Sequence, residues 1–269
     1  MMVNRPLADK RISQSIQYHV LTVTRYTLLI ALTTSLGLSS ISKQATAQAA
    51  PENPVTIGGT WSSLVIDLPM GEKWMVRNEF RFRTAQFFND RQQFLVRPSV
   101  HYKVSNGFSF STGITLSDNA PYEESGFSRY GFETNLYEDL VLRHGEGRWS
   151  FNHRYRFEQR WISSQADGSK LYRNRFRYRF GMSYDITELT HGKLQATFYN
   201  ELMLNLYNDF TANGYDRDWT GIGLIYPLHP KLKLTAGFQQ NWVRRSTDTY
   251  ERQRLLLLSL GWKIERRKD

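Results

Sequence analysis

The chain has 269 residues, 40% of them hydrophobic and 14% aromatic, and a formal net charge of +10. It contains no cysteine, which excludes disulfide frameworks and thiolate metal sites. The mean hydropathy of -0.53 is that of a soluble protein, but a transmembrane β-barrel escapes this test because half of each strand faces a polar lumen.

Residues 1–50 carry +4 of the charge, from Arg5, Lys10, Arg11, Arg25 and Lys43 against Asp9. These basic residues lead into a short apolar run, 26–38 (YTLLIALTTSLGL), and then the small-residue site Ala47-Gln48-Ala49. That order is the one of a secretory signal, and the run is shorter than the roughly 20 residues of a spanning helix. A signal peptide over 1–49 and a single domain over 50–269 are expected, with export to the periplasm, the outer membrane or the medium. The remaining +6 does not read as a nucleic-acid surface: the arginines alternate with aromatics along strands instead of forming one exposed patch.

Beyond the leader, a strand-like piece at 60–68 is followed by the turn Pro69-Met70-Gly71-Glu72. Period-two alternation, which sends successive side chains to opposite faces of a pleat, then recurs down the chain. In 73–85, Trp74, Val76, Phe80 and Phe82 oppose Arg77, Glu79, Arg81 and Arg83; in 91–104, Phe94, Val96, Val100 and Tyr102 oppose Arg97, Ser99, His101 and Lys103. Ser105-Asn106-Gly107 is a hairpin signal ahead of 108–117, and a polar stretch separates that piece from 128–143. In 148–162, Trp149, Phe151, Tyr155, Phe157 and Trp161 oppose Arg154, Arg156, Glu158 and Arg160. The clearest case is 173–185 (RNRFRYRFGMSYD), where Arg173, Arg175, Arg177 and Arg179 oppose Phe176, Tyr178, Phe180 and Met182. Further strands are expected at 193–205, 215–228, 231–243 and 252–264. So much aromatic surface exceeds what one soluble core of this size can bury, and the pattern is that of a barrel apolar outside and polar inside.

The expected fold is therefore all-β: an antiparallel up-and-down transmembrane barrel of about ten to twelve strands. Short connections (69–72, 105–107, 144–147, 188–192, 229–230) alternate with longer ones (86–90, 118–127, 163–170, 206–214, 244–251), as short periplasmic turns and longer external loops do. Residues 73–264 supply the main barrel, an even set of about ten strands. Residues 55–72 are then extra: an N-terminal strand that pairs along the seam, a plug in the lumen, or part of a first hairpin.

The inward parity is unusually ionic. Arg77, Arg81, Arg83, Arg97, Arg154, Arg156, Arg160, Arg173, Arg175, Arg177 and Arg179 share it with Glu79, Glu133, Asp139, Glu158 and Glu201. An unpaired charge in a narrow lumen costs several kcal/mol, so a salt-bridge ladder is expected, with guanidinium forks on carboxylates. Inward glycines at Gly113, Gly131, Gly181, Gly221, Gly237 and Gly261 leave room for long side chains opposite. Two roles follow: a structural or narrow-pore barrel, or an anion-selective channel for a small anionic solute drawn by the arginine excess.

An enzyme is not indicated. No HExxH, P-loop or dinucleotide fingerprint is present, and no cofactor or metal is expected. His101 precedes Ser105, but a turn-forming Asn-Gly accounts for that serine. His153 shares the outward parity of Tyr155 and Phe157, a costly place for a polar group; a lipid-modifying enzyme would start from it, whereas a neutral interfacial ring or a register-shifting bulge would also explain it.

The runs 153–160 (HRYRFEQR), 173–184, 199–204 (YNELML) and 217–226 (RDWTGIGLIY) together resemble the domain-of-unknown-function 2490 (DUF2490) family, over about residues 61–242. That resemblance implies an exported, outer-membrane-like barrel with no catalytic residues to assign. The expected location is the outer membrane of a Gram-negative bacterium, with outer-membrane lipid and the export and barrel-assembly machinery as partners.

Overall fold

The computed structural model describes residues 55–120, 131–164, 168–206, 214–244 and 250–265. They form β1 (Val55–Met70), β2 (Trp74–Ala85), β3 (Asn89–Lys103), β4 (Phe108–Asn119), β5 (Gly131–Glu146), β6 (Trp149–Ser164), β7 (Lys170–Leu189), β8 (Gly192–Leu206), β9 (Tyr215–His229), β10 (Leu232–Arg244) and β11 (Tyr250–Lys263). The expected signal peptide at 1–49 lies outside the described residues, as do parts of the connections at 118–127, 163–170, 206–214 and 244–251.

Each strand pairs antiparallel with its successor, and β1 joins β11 to close the barrel. Eleven strands joined by successive hairpins leave the last one running in the same direction as the first. The closing ladder is therefore parallel, in register from Val55↔Glu251 to Asp67↔Lys263. Of the roles open to residues 60–68, the seam strand is the one adopted. Their alternation (Leu64, Ile66 and Leu68 out; Trp61, Ser63, Val65 and Asp67 in) matches both neighbours. The even set of strands expected from 73–264 thus becomes an odd, closed set, and β1 begins at the rim opposite the one where β11 ends.

The turns at 71–73, 104–107, 147–148, 190–191 and 230–231 gather at one rim, and the remaining strand ends lie at the opposite rim. One expected long connection is shorter than its sequence implied: 86–90 reduces to the three residues between β2 and β3. Gln86, Phe87 and Phe88 all take left-handed φ there (51°, 49° and 84°), a conformation that costs non-glycine residues roughly 1–2 kcal/mol each.

Large apolar side chains such as Trp74, Phe110, Trp161, Ile222, Phe238 and Trp262 lie exposed on the outer surface. Not every aromatic ring faces outward: Trp61, Tyr137, Tyr199 and Trp219 point into the lumen. Trp61, Tyr137 and Trp219 are buried there, and Tyr199 packs against the cluster that holds the two tryptophans. Glycine on a neighbouring strand makes the room. A Cβ on Gly113 would sit 2.7 Å from the Tyr137 hydroxyl, and one on Gly221 would meet the Tyr199 ring at 2.4 Å.

Candidate functional site in the barrel lumen

The lumen of β1–β8 is bridged by ion pairs whose partners the strand register sets side by side. Asp67 faces Arg77, Glu79 faces Arg97, Asp139 faces Arg156, and Glu158 faces Arg175. Each of these register pairs is an ion pair, at 2.6, 3.1, 2.6 and 2.6 Å respectively. The Arg77–Asp67, Arg156–Asp139 and Arg160–Glu133 pairs are two-pronged, with donor–acceptor distances of 2.6–2.8 Å. Such forks fix both carboxylate oxygens and are among the stronger side-chain hydrogen bonds. Arg81 also donates to Glu79.

At mid-height the pairs fuse into a network. Glu158 accepts from Arg175 and Arg177, with Arg156 3.7 Å away, and is 0% exposed. Glu201, 1% exposed, accepts from Arg154 at 2.6 Å and from Arg177 at 2.7 Å. Arg175 extends the network to Asp216 at 3.1 Å, where Arg217 also donates. Against this network lies an apolar cluster of Trp61, Met203, Trp219 and Leu255, with the two tryptophan rings edge to face at 5.0 Å. Arg83 has no carboxylate partner among the described residues. Its guanidinium stacks 3.6 Å from the Trp61 ring centre, a cation–π contact that replaces the missing anion.

Across β8–β11 the chemistry turns neutral. Tyr199 donates to Gln239, Gln239 to Asn241, Asn241 to Gln253 at 2.7 Å, and Gln253 to Glu251. The network, the cluster and this amide chain leave Tyr137, Met203, Glu158, Glu201, Gln239 and Asn241 essentially without solvent contact.

Toward the short-turn rim the packing opens into a cavity of about 290 Å³. Arg77, Arg97, Arg143, Arg154, Arg156 and Arg179 line it, against only Glu79 and Asp139 among the acids. Among the described residues the Arg143 guanidinium donates to Ser109 Oγ alone, at 2.8 Å. Arg179 stacks on Tyr199 at 3.8 Å and stands 4.0 Å from Glu201 Oε2.

Of the residues read from sequence as lumen ladder, Arg77, Glu79, Arg81, Arg97, Glu133, Arg154, Arg156, Glu158, Arg160, Arg175, Arg177 and Glu201 carry the ion pairs just described. Arg179 reaches that set only at 4.0 Å, Arg83 stacks on tryptophan, and Arg173 is half-buried opposite Arg160. Asp67, Asp216, Arg143 and the Gln239–Glu251 chain escaped the sequence reading. For Asp216 the cause is a register shift between Met203 and Leu204 on β8, which turns its side chain inward beside Arg217.

Among the described residues, His101 and His153 do not assemble an acyl-transfer site. His101 contacts Ser99 Oγ at 3.0 Å, not Ser105, whose backbone N–H closes the 104–107 turn on Phe108. His153 points outward with continuous register on both sides, so no bulge accounts for it. Its ring contacts the Tyr178 hydroxyl at 2.9 Å and His144 Nε2 at 3.4 Å, within a stack that includes Phe151 and Phe180. No serine, threonine or carboxylate is among these contacts. Among the described residues there is no cluster of three or more metal-ligating side chains.

Three comparisons bear on this barrel. An uncharacterised protein of Methylorubrum extorquens is 25% identical over 236 residues, which span 84% of this chain and 96% of that one. A solved structure of NanC porin aligns with a TM-score of 0.47 at 14% identity, covering 77% of this chain and 98% of the porin. The model of a protein family of unknown function matches residues 58–252, from the start of the seam strand to the start of the last one. With most of the barrel inside that match, the chain belongs to the DUF2490 family.

Proposed function

We propose that this protein is an outer-membrane barrel of a Gram-negative bacterium with an occluded lumen, a structural element of the membrane and not a free conduit. In this reading a signal peptide over 1–49 directs export, the barrel-assembly machinery inserts the chain, and outer-membrane lipid is its solvent. The exposed apolar outer surface supports the membrane placement, since hydrocarbon-facing side chains out and polar ones in is the arrangement of membrane barrels. The short-turn rim then faces the periplasm and the longer connections face outward.

One observation carries the occlusion: Tyr137, Glu158, Glu201, Asn241 and Leu255, from β5, β6, β8, β10 and β11, are each no more than 2% exposed. A water-filled passage at that level would wet at least one of them. The anion-selective channel suggested by the arginine excess would require this layer to part. Reconstituted in planar bilayers, the full mature chain should stay electrically silent under moderate voltage. Sustained conductance would refute the occluded reading, and an anion preference in it would favour the channel instead.

A further inference from the structure

We infer that the cavity at the short-turn end of the lumen is a binding site for a small oxyanion, a phosphate- or carboxylate-bearing solute. This rests on the occluded reading above only in that the closed layer makes the cavity a blind vestibule and not a stretch of pore.

Charge balance separates this cavity from the rest of the lumen. Arg154 and Arg179 are directly opposed on β6 and β7, an arrangement that repels unless an anion lies between or beside them. The anion available is Glu201, which already accepts from Arg154 and Arg177. Arg143, one strand over, has a serine hydroxyl as its hydrogen-bond partner and no carboxylate among the described residues. Three guanidinium groups from three adjacent strands therefore line one concave space whose own acids, Glu79 and Asp139, are already engaged by Arg81, Arg97 and Arg156.

Unused donors are the second observation. Arg156, 3% exposed and held by Asp139 through Nε and Nη2, has a buried Nη1 with no hydrogen bond, 3.7 Å from Glu158, and the Nε of Arg154 likewise makes no hydrogen bond. Buried donors of this kind are costly to leave unpaired. Ser99, Ser111 and His101 add further polar groups to the wall. The volume suits a small solute, near the lower end of ordinary ligand pockets. Guanidinium forks from several directions match the oxygens of phosphate or of a carboxylate better than they match halide.

The test is calorimetric titration of the full mature chain in detergent with inorganic phosphate and, separately, with succinate. Saturable binding of either is expected, weakened as salt rises toward about 1 M because the cavity is open to screening at its rim. The double variant R143Q/R179Q should lose at least about tenfold in affinity, the worth of a lost charge-assisted hydrogen bond. R143Q alone should lose less, and because Arg143 is exposed this variant keeps the measurement available if the double variant folds poorly. R91Q removes a charge whose partner is Asp118 near the far rim and should bind as the parent does. Binding of phosphate alone, succinate alone or both assigns the oxyanion class. No saturable binding of either, or undiminished binding by both R143Q and R143Q/R179Q, overturns the inference. Bilayer recordings stand apart: silence without binding defeats the site and spares the occluded barrel, whereas conductance with binding does the reverse.

Discussion

The two ends of the lumen use the same residue type to opposite effect. Toward the long connections, Arg160, Arg175 and Arg217 are matched by Glu133, Glu158 and Asp216, Arg83 is covered by the Trp61 ring, and neutral amides fill the remaining arc. Toward the short turns, Arg143 and Arg179 border open space. Arg175 and Arg179 lie four residues apart on the same face of β7, yet one ends 2.6 Å from a carboxylate and the other 4.0 Å from a carboxylate already engaged. What differs is the supply of acids on the flanking strands. A charge that is buried and matched contributes to a closed layer, and one left unmatched at a rim remains available to a ligand.

Breaking the matched end should have the largest consequence. Glu158→Gln removes the carboxylate shared by Arg175 and Arg177 and leaves both buried without it; a loss of about 3–5 kcal/mol is expected. Urea unfolding of the barrel in detergent or lipid measures this, and a change below about 1 kcal/mol would mean that water already solvates the pair. Trp219→Ala should follow, at about 3 kcal/mol, since it empties the apolar cluster and strips one ring from Arg83. If the cluster also seals the lumen, this variant should show conductance in bilayers where the parent is silent. Arg143→Gln, at the unmatched end, should move stability by no more than about 0.5 kcal/mol, because an exposed arginine bonded to one serine contributes little to the fold. A large loss there would mean that the short-turn end is as tightly coupled as the other.

Much of the fold was legible in one dimension. The alternation of Phe176, Tyr178 and Phe180 with Arg175, Arg177 and Arg179 is enough to assign a strand and its faces, because a pleat has period two. The short turns were readable from Asn106-Gly107 and from Gly71, Gly147 and Gly192, all three with positive φ. The connection at 86–90 was read too, but not its tightness, because Gln, Phe and Phe are poor markers of a left-handed backbone and only the strand ends they must join force it. His153 was rightly read as outward, but its neighbours Tyr178 and His144 come from other strands and depend on register.

Side-chain parity, the ionic character of the inner face and family membership were thus properties of the chain itself, since each depends only on local spacing or on sequence likeness. Closure was not. Whether residues 60–68 plug the lumen, pair along the seam or belong to a first hairpin depends on the free edges of β2 and β11, which meet only when the whole sheet has curled round. The same holds for the lumen: an arginine's partner, and so whether it seals or receives, is decided by stagger between strands, a quantity that accumulates around the barrel and is written in no single segment.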